Sequence, residues 1–444
     1  MSDQPQFTVK IDQNKFLPEG GREVHAIVSV ESAGGAVSAA APAARAAEVI
    51  IIDTSGSMTY PDTKLRSAVA AAQAAVDTLR DGVMFAVVSG SNSAKMVFPQ
   101  QATLVPANDR NRQAAKAELR RLTAQGGTAI GSWLRLADQL FDPYQDGVRH
   151  AILLTDGKNQ HESAEELEAV LFRCSGRFVC DCRGVGTDWE VAELRKVANA
   201  LLGTVDIVAD PADLVADFRA MTEAAMGKAV ADVALRVWTP QTARLKFVKQ
   251  VMPNVQDLTS MRAEAGPQAG DYPLGAWGAE SRDYQICVEV PPGEVGKELR
   301  AAWVKLVVPG GPGQEAQVLA TGNVLAQWTD DEALSTKINP RVAHYTGQSE
   351  LADVIQEGLT ARRDGDLDTA TARLGRAVQL ADEAGNEAVT AALRKVVDVL
   401  DPATGTVRLK ANVEKADEMS LDTTSTKTVR TRKDETVNTR RTEV

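Results

Sequence analysis

Three short stretches of this sequence carry the oxygen atoms that could do chemistry. Asp53-Thr54-Ser55-Gly56-Ser57 offers a carboxylate and two alternate serine hydroxyls, Gly126-Gly127-Thr128 a third hydroxyl, and Thr155-Asp156-Gly157 a second carboxylate. A few hydroxyl and carboxylate oxygens are what a hard cation such as Mg²⁺ takes, because it prefers near-octahedral oxygen coordination and keeps several waters. Alone, D-x-S-x-S is also an ordinary turn before a helix, since Asp, Ser and Gly suit turns and caps. Its weight therefore depends on whether the surrounding elements bring the three stretches to one place.

They have the means to do so. Val49-Ile50-Ile51-Ile52 is a continuous β-branched run of the kind found in a central parallel strand buried on both faces, and Asp53 follows it directly. Leu65, Val69, Ala72, Val76 and Leu79 then fall at helical spacing over residues 64–80. Val83 to Ser89 and Ala94 to Phe98 read as a strand pair, with helices from about Asn108 to Leu122 and from Gly131 to Phe141. His150 to Leu154 is a second buried strand, with Asp156 just beyond it, and Phe178 to Val185 a third. A helix over Val191 to Leu201, a strand at Asp206 to Val208 and a helix from Pro211 to Ala225 follow. Strands alternating with helices imply an α/β doubly wound, Rossmann-like sheet. In such sheets ligands bind outside the carboxyl ends of the strands, the edge on which all three loops fall.

The five positions resemble the metal-ion-dependent adhesion site of von Willebrand factor A (VWA) domains: D-x-S-x-S, a threonine on a middle loop, and an aspartate in a T-D-G context after a later strand. Asp53, Ser55, Ser57, Thr128 and Asp156 fill that pattern. The resemblance extends over residues 48–226 and includes the Gly184-Val185-Gly186 turn. It implies bound Mg²⁺ or Mn²⁺, with Ser55, Ser57 and Thr128 ligating directly and Asp53 and Asp156 partly through water. It also implies a protein partner that supplies an Asp or Glu, because neutral hydroxyls leave the ion short of negative charge. The expected function is metal-dependent protein binding by a scaffold or signalling adaptor and not catalysis. The architecture and Ala-rich composition are similar to intracellular actinobacterial A-domain proteins, some of them resembling members of tellurium-resistance-type kinase and phosphatase systems. Two alternatives stay open: an adaptor subunit for an AAA+ ATPase of the chelatase type, and a metal-dependent hydrolase. For the latter His161 is the one base near the site. Gly126 to Gly131 matches G-x-x-x-x-G, but Ser132-Trp133 follows in place of lysine, so no phosphate-binding loop is expected.

The rest of the chain reads as accessory domains, 444 residues being too long for one ordinary core. Residues 1–45 hold two alternating runs, Phe7/Val9/Ile11 and Val24/Ala26/Val28/Val30, around Pro18-Glu19-Gly20-Gly21, then an Ala/Gly linker. They lack a core of their own and are expected to complete an antiparallel β-sandwich formed by residues 228–330. The A domain, 46–227, would then be an insertion. Residues 331–404 read as an α-helical module, with helices over 348–363, 366–384 and 386–400 and a partly tetratricopeptide-like pattern from Gly365 to Ala381. Residues 405–444 read as a flexible tail, rich in threonine and poor in large apolar side chains from Thr423 onward. In it, Thr423, Thr424 and Thr436 lie beside acidic residues and resemble phosphorylation sites of a bacterial Ser/Thr kinase, read by a forkhead-associated domain.

Composition sets outer bounds. A net charge of −11 argues against nucleic acid or an anionic membrane as partner. No basic segment precedes an apolar run near Met1, and Arg45 and Glu48 interrupt the charge-poor stretch from Ala33 to Ile52, so a cytoplasmic protein is expected. Cys174, Cys180 and Cys182 bunch without a disulfide or zinc spacing; Cys180 and Cys182 share one face of a strand and are expected to be buried thiols.

Overall fold

The computed structural model describes residues 6–33, 45–208, 210–310 and 314–430. These divide into two compact units: residues 45–233 with 274–279, and residues 6–33 with 234–273 and 280–430.

In the first unit the sheet runs Val205–Val208, Val179–Val185, Val148–Thr155, Ala46–Asp53, Met84–Gly90, Ala94–Phe98 in spatial order. The first five are parallel and the last is antiparallel, and Val105–Pro106 also pairs antiparallel with Met84–Gly90. Every residue of Ala46–Asp53 and of Val148–Thr155 is buried, as continuous apolar runs require when helices cover both faces. On one face Ile50, Ile52, Ile152 and Leu154 pack with Ala68, Ala72 and Val76 of the helix Thr63–Thr78 and with Phe218 of Leu214–Met226. Each such isoleucine stabilises the fold by roughly 1.5–3 kcal/mol through removal from water. Pairing of Ile52 with Leu154 sets Asp53 beside Thr155, so two of the three oxygen-bearing loops leave the sheet side by side.

Two more sheets are formed, mainly by residues of the second unit. One runs Gln6–Gln13, Glu23–Ala33, Ser281–Glu289, Arg244–Met252, Gln256–Asp257, all antiparallel. The other runs Ala263–Glu264, Ala269–Trp277, Val230–Trp238, Glu298–Val308, Gln317–Trp328, Phe16–Leu17, its last pair parallel. The N-terminal strands join these sheets, as their missing core demands. Gly322 of the second sheet lies so close to Val9 and Ile11 of the first that a Cβ would strike Ile11 at 2.8 Å.

After these sheets come the helices Pro340–Arg363, Leu367–Ala384 and Glu387–Val396, each opened by a capping side chain, Asn339, Asp366 and Asn386. Leu351, Ile355, Leu374, Val378, Leu393, Val396 and Leu421 form their core.

Two expectations for this region are corrected. The helix expected to reach residue 400 stops at Val396, and Val397–Asp401 turns into a hairpin with Thr406–Leu409 around Gly405, whose φ is +67°. The expected flexible tail is folded from residue 405 to Arg430. Lys415–Thr424 is a helix, with Met419 and Leu421 buried. Thr426 accepts the Val255 amide, the Thr428 amide donates to Pro253, and Val429 exchanges hydrogen bonds with Gln348. Anchoring by Leu421 and by backbone hydrogen bonds replaces the large apolar residues that the segment lacks. Thr423 is therefore buried and Thr424 half-buried rather than exposed to a kinase; Thr436 lies outside the described residues. Among the described residues no helix is long and apolar enough to cross a membrane.

Candidate metal centre

All five positions singled out in the sequence meet at the carboxyl edge of the parallel sheet. Asp53 ends its strand fully buried and turns the chain: its Oδ1 accepts the Ser55 amide at 2.7 Å, and its Oδ2 accepts the Thr155 hydroxyl at 2.5 Å. The Ser55 and Ser57 Oγ atoms stand 2.9 Å apart, and Ser57 donates to Asp156 Oδ1 at 2.6 Å. The middle loop is tied in by its backbone. Gly126 accepts the Gly56 amide at 2.9 Å and Gln125 donates to the Thr54 carbonyl at 2.7 Å, Gly126 meeting the turn with a φ of +87°.

Gly157 reveals how these oxygens are aimed. A Cβ placed there would lie 3.1 Å from Thr128 Oγ1, 3.3 Å from Ser57 Oγ and 3.8 Å from Asp53 Oδ2. Oxygens from two of the loops thus face the glycine of the third across one small space that a single methyl would enter, and the glycine keeps it clear. The donor set is hydroxyl and carboxylate only, which suits a hard divalent cation and no soft one. Burial pushes the Asp53 carboxyl up to about 6, against the lowering effect of its bonds from Ser55 and Thr155. Loss of hydration around a buried charge is the cause.

Several residues that hold the site, Lys64, Asn159 and Glu162 but not His161, carried no signal in the sequence. Lys64, in the first turn of Thr63–Thr78, places Nζ 2.7 Å from Asp156 Oδ2 and 3.1 Å from Asp188 Oδ2. Burial alone would lower its pKa, but the two carboxylates outweigh that and raise it. One oxygen of Asp156 therefore faces Ser57 while the other answers a buried ammonium. The loop after Asp156 clamps the threonine loop. Asn159 Oδ1 accepts the Ile130 amide at 3.0 Å, His161 Nδ1 the Thr128 amide at 3.1 Å and Glu162 Oε1 the Gly131 amide at 2.6 Å. Together they satisfy the open end of the helix Ile130–Phe141, which has no capping side chain of its own. His161 is thus held against the threonine loop: its ring fills the space over Gly127 that a side chain would need. Cys174, Cys180 and Cys182 are buried free thiols away from these oxygens in the hydrogen-bond pattern.

Residues 47–207 match the von Willebrand factor type A domain, and residues 379–425 the von Willebrand factor type A C-terminal domain. A solved structure, von Willebrand factor type A from Catenulispora acidiphila, is 53% identical over 97% of this chain and 98% of its own, with a TM-score of 0.92. The chain belongs to the von Willebrand factor type A family. The ArnB paralog VWA2 from Sulfolobus acidocaldarius shares the fold at 15% identity, covering 95% of this chain and 98% of that one with a TM-score of 0.61. An uncharacterised protein of Synechocystis is 28% identical over 215 residues, 47% of this chain, and the match spans about half of that relative's length. The matched C-terminal segment, 379–425, takes in the hairpin and the helix Lys415–Thr424, so residues 405–425 of the stretch read as a tail fall within the VWA C-terminal match. Proteins of this family often mediate protein interactions, and its A domains commonly hold a divalent ion.

Proposed function

We propose that this VWA protein binds a partner protein through a divalent cation, Mg²⁺ or Mn²⁺, held by Ser55, Ser57 and Thr128 with Asp53 and Asp156 behind them. The observation that carries the reading is the shared space around Gly157, with hydroxyls of two separate loops within 3.3 Å of one point. When bound, the ion supplies a Lewis-acidic position for an incoming Asp or Glu carboxylate. The chain's own residues do the rest. Asp53 locks the first turn through the Ser55 amide and Thr155, Ser57 is oriented by Asp156, and His161 holds Thr128 by its backbone. Tyr60, 85% exposed three residues beyond Ser57, is an aromatic contact for that partner. Against a hydrolase, the His161 nitrogen that would serve as base is already engaged by the Thr128 amide. A scaffold or adaptor follows from such a module joined to two further sheets and a helical core.

The test is calorimetric titration of Mg²⁺ and Mn²⁺ into the full chain and into Thr128→Ala, followed by partner capture from native lysate with Mg²⁺ or chelator. Uptake lost in the variant and capture lost with chelator support the proposal. An intact chain that takes up neither ion refutes it.

A further inference from the structure

The second unit carries another cluster of ligand atoms. On the strand Glu23–Ala33, Glu23 and His25 are two residues apart and share a face; Cys287 of the neighbouring strand Ser281–Glu289 is the cross-strand partner of His25. His25 Nε2 stands 3.8 Å from Cys287 Sγ and 3.6 Å from Glu23 Oε2, and one ligand atom from each residue lies within 4.8 Å of the others. Among the described residues this is the one group of three or more His, Cys, Asp or Glu side chains so arranged.

We propose that Glu23, His25 and Cys287 form a second metal site, selective for Zn²⁺, with its fourth position open to water or an outside ligand. Chemistry and spacing both point there. Thiolate, imidazole and carboxylate form a borderline-soft set that suits Zn²⁺ and is poor for the Mg²⁺ of an all-oxygen site. A tetrahedral Zn²⁺ with bonds of about 2.3 Å to sulfur and about 2.0–2.1 Å to nitrogen and oxygen needs ligand separations of about 3.6 Å (S to N) and about 3.3 Å (N to O). The observed 3.8 Å and 3.6 Å are within a few tenths of an ångström of those edges. Nor is the imidazole committed elsewhere among the described residues: Nδ1 is buried without a hydrogen-bond partner there, and Nε2 is paired only with the two co-ligands. As the metal–sulfur bond forms, the thiol proton passes to solvent.

The charges around the cluster set its affinity. Lys246 Nζ holds Glu23 Oε1 at 2.5 Å, leaving Oε2 for the metal. Glu289, the cross-strand partner of Glu23, is paired with Arg22 at 3.7 Å and with Arg244 at 3.3 Å. Phe247, across from Cys287 with its ring centroid 6.1 Å from that of His25, walls the sulfur side. Lys246 is thus the cation with which Zn²⁺ competes.

The experiment titrates Co²⁺, a spectroscopic stand-in for Zn²⁺, into the reduced full chain in excess Mg²⁺, added as a competitor for the oxygen site. One equivalent should produce thiolate-to-cobalt charge-transfer absorption in the near ultraviolet, and Zn²⁺ should displace it stoichiometrically. Cys287→Ser, close in size to the native thiol, should abolish the band, and His25→Ala should weaken Zn²⁺ binding by about a hundredfold or more in competition with a chromophoric chelator. Lys246→Met should tighten it several-fold. Absence of the band in the folded wild type overturns the proposal, and so does its persistence in Cys287→Ser, which would move it to Cys174, Cys180 or Cys182. Because the first site has no sulfur donor, neither result depends on whether that site binds Mg²⁺.

Discussion

Alanine at Gly157 removes no ligand and no charge, yet it should abolish ion binding at the carboxyl edge of the parallel sheet. The added methyl would sit 3.1 Å from Thr128 Oγ1 and 3.3 Å from Ser57 Oγ, tight contacts that relax with shifts of a few tenths of an ångström. Gly157 is not among the glycines of positive φ, so the backbone accepts the side chain and the apo protein should keep its stability to within about 1 kcal/mol. Mg²⁺ has no such latitude, since it demands near-ideal octahedral geometry with bonds of about 2.0–2.1 Å. Losing direct bonds from two of three hydroxyl ligands should weaken the ion by at least about a hundredfold, or roughly 3 kcal/mol. Calorimetric titration of Mn²⁺ into wild type and Gly157→Ala reads the affinity, and thermal unfolding without metal reads the fold. Wild-type affinity in a normally folded Gly157→Ala would show that the ion does not use this space, and the ligand assignment would fall with it.

Other perturbations probe the supports of the site. Lys64→Met removes a buried ammonium from Asp156; the apo protein should lose about 3 kcal/mol as that carboxylate is left unpaired, and added Mg²⁺ should restore more stability than in wild type, measured by denaturant titration with and without metal. His150, buried between Glu48 at 2.9 Å and Asp181 at 3.0 Å, has its pKa lowered by burial but raised more strongly by the two carboxylates, to about 10. The folded value lies above the unfolded 6.5, so its contribution is complete below pH 6.5 and is lost as pH rises through 10. His150→Gln should cost about 3–5 kcal/mol at neutral pH and flatten the pH dependence of stability over that window; a loss under about 1 kcal/mol in denaturant unfolding would refute a charged His150. Tyr60→Ala should leave ion uptake unchanged and weaken partner capture by about tenfold or more, read by surface-immobilised binding.

What the sequence disclosed and what it withheld divide along the range of the interactions. The run Val49 to Ile52 and the run Ala151 to Leu154 each announce a strand by composition alone, and each is followed at once by its ligand-bearing residues, so parallel pairing brings Asp53 and Asp156 together without further instruction. The supports of these ligands span longer separations. Lys64 reaches Asp156 across 92 positions, and Asn159, His161 and Glu162 cap a helix about thirty residues earlier in the chain. No local pattern encodes such pairs, because a lysine in a first helical turn and an acid in a polar loop are ordinary where they stand. Near the C-terminus composition misled. Val396 to Leu400 is apolar enough for either a helix or a strand, and the choice falls to Gly405, whose left-handed φ closes a hairpin. From Thr423 onward the side chains indeed lack the area to order themselves, but the segment through Arg430 does not rely on area. It borrows order from Leu421 just before it and from the backbone of Pro253 and Val255, far back in the sequence. Compositional disorder follows only where such backbone partners are missing, and partners are a property of the fold.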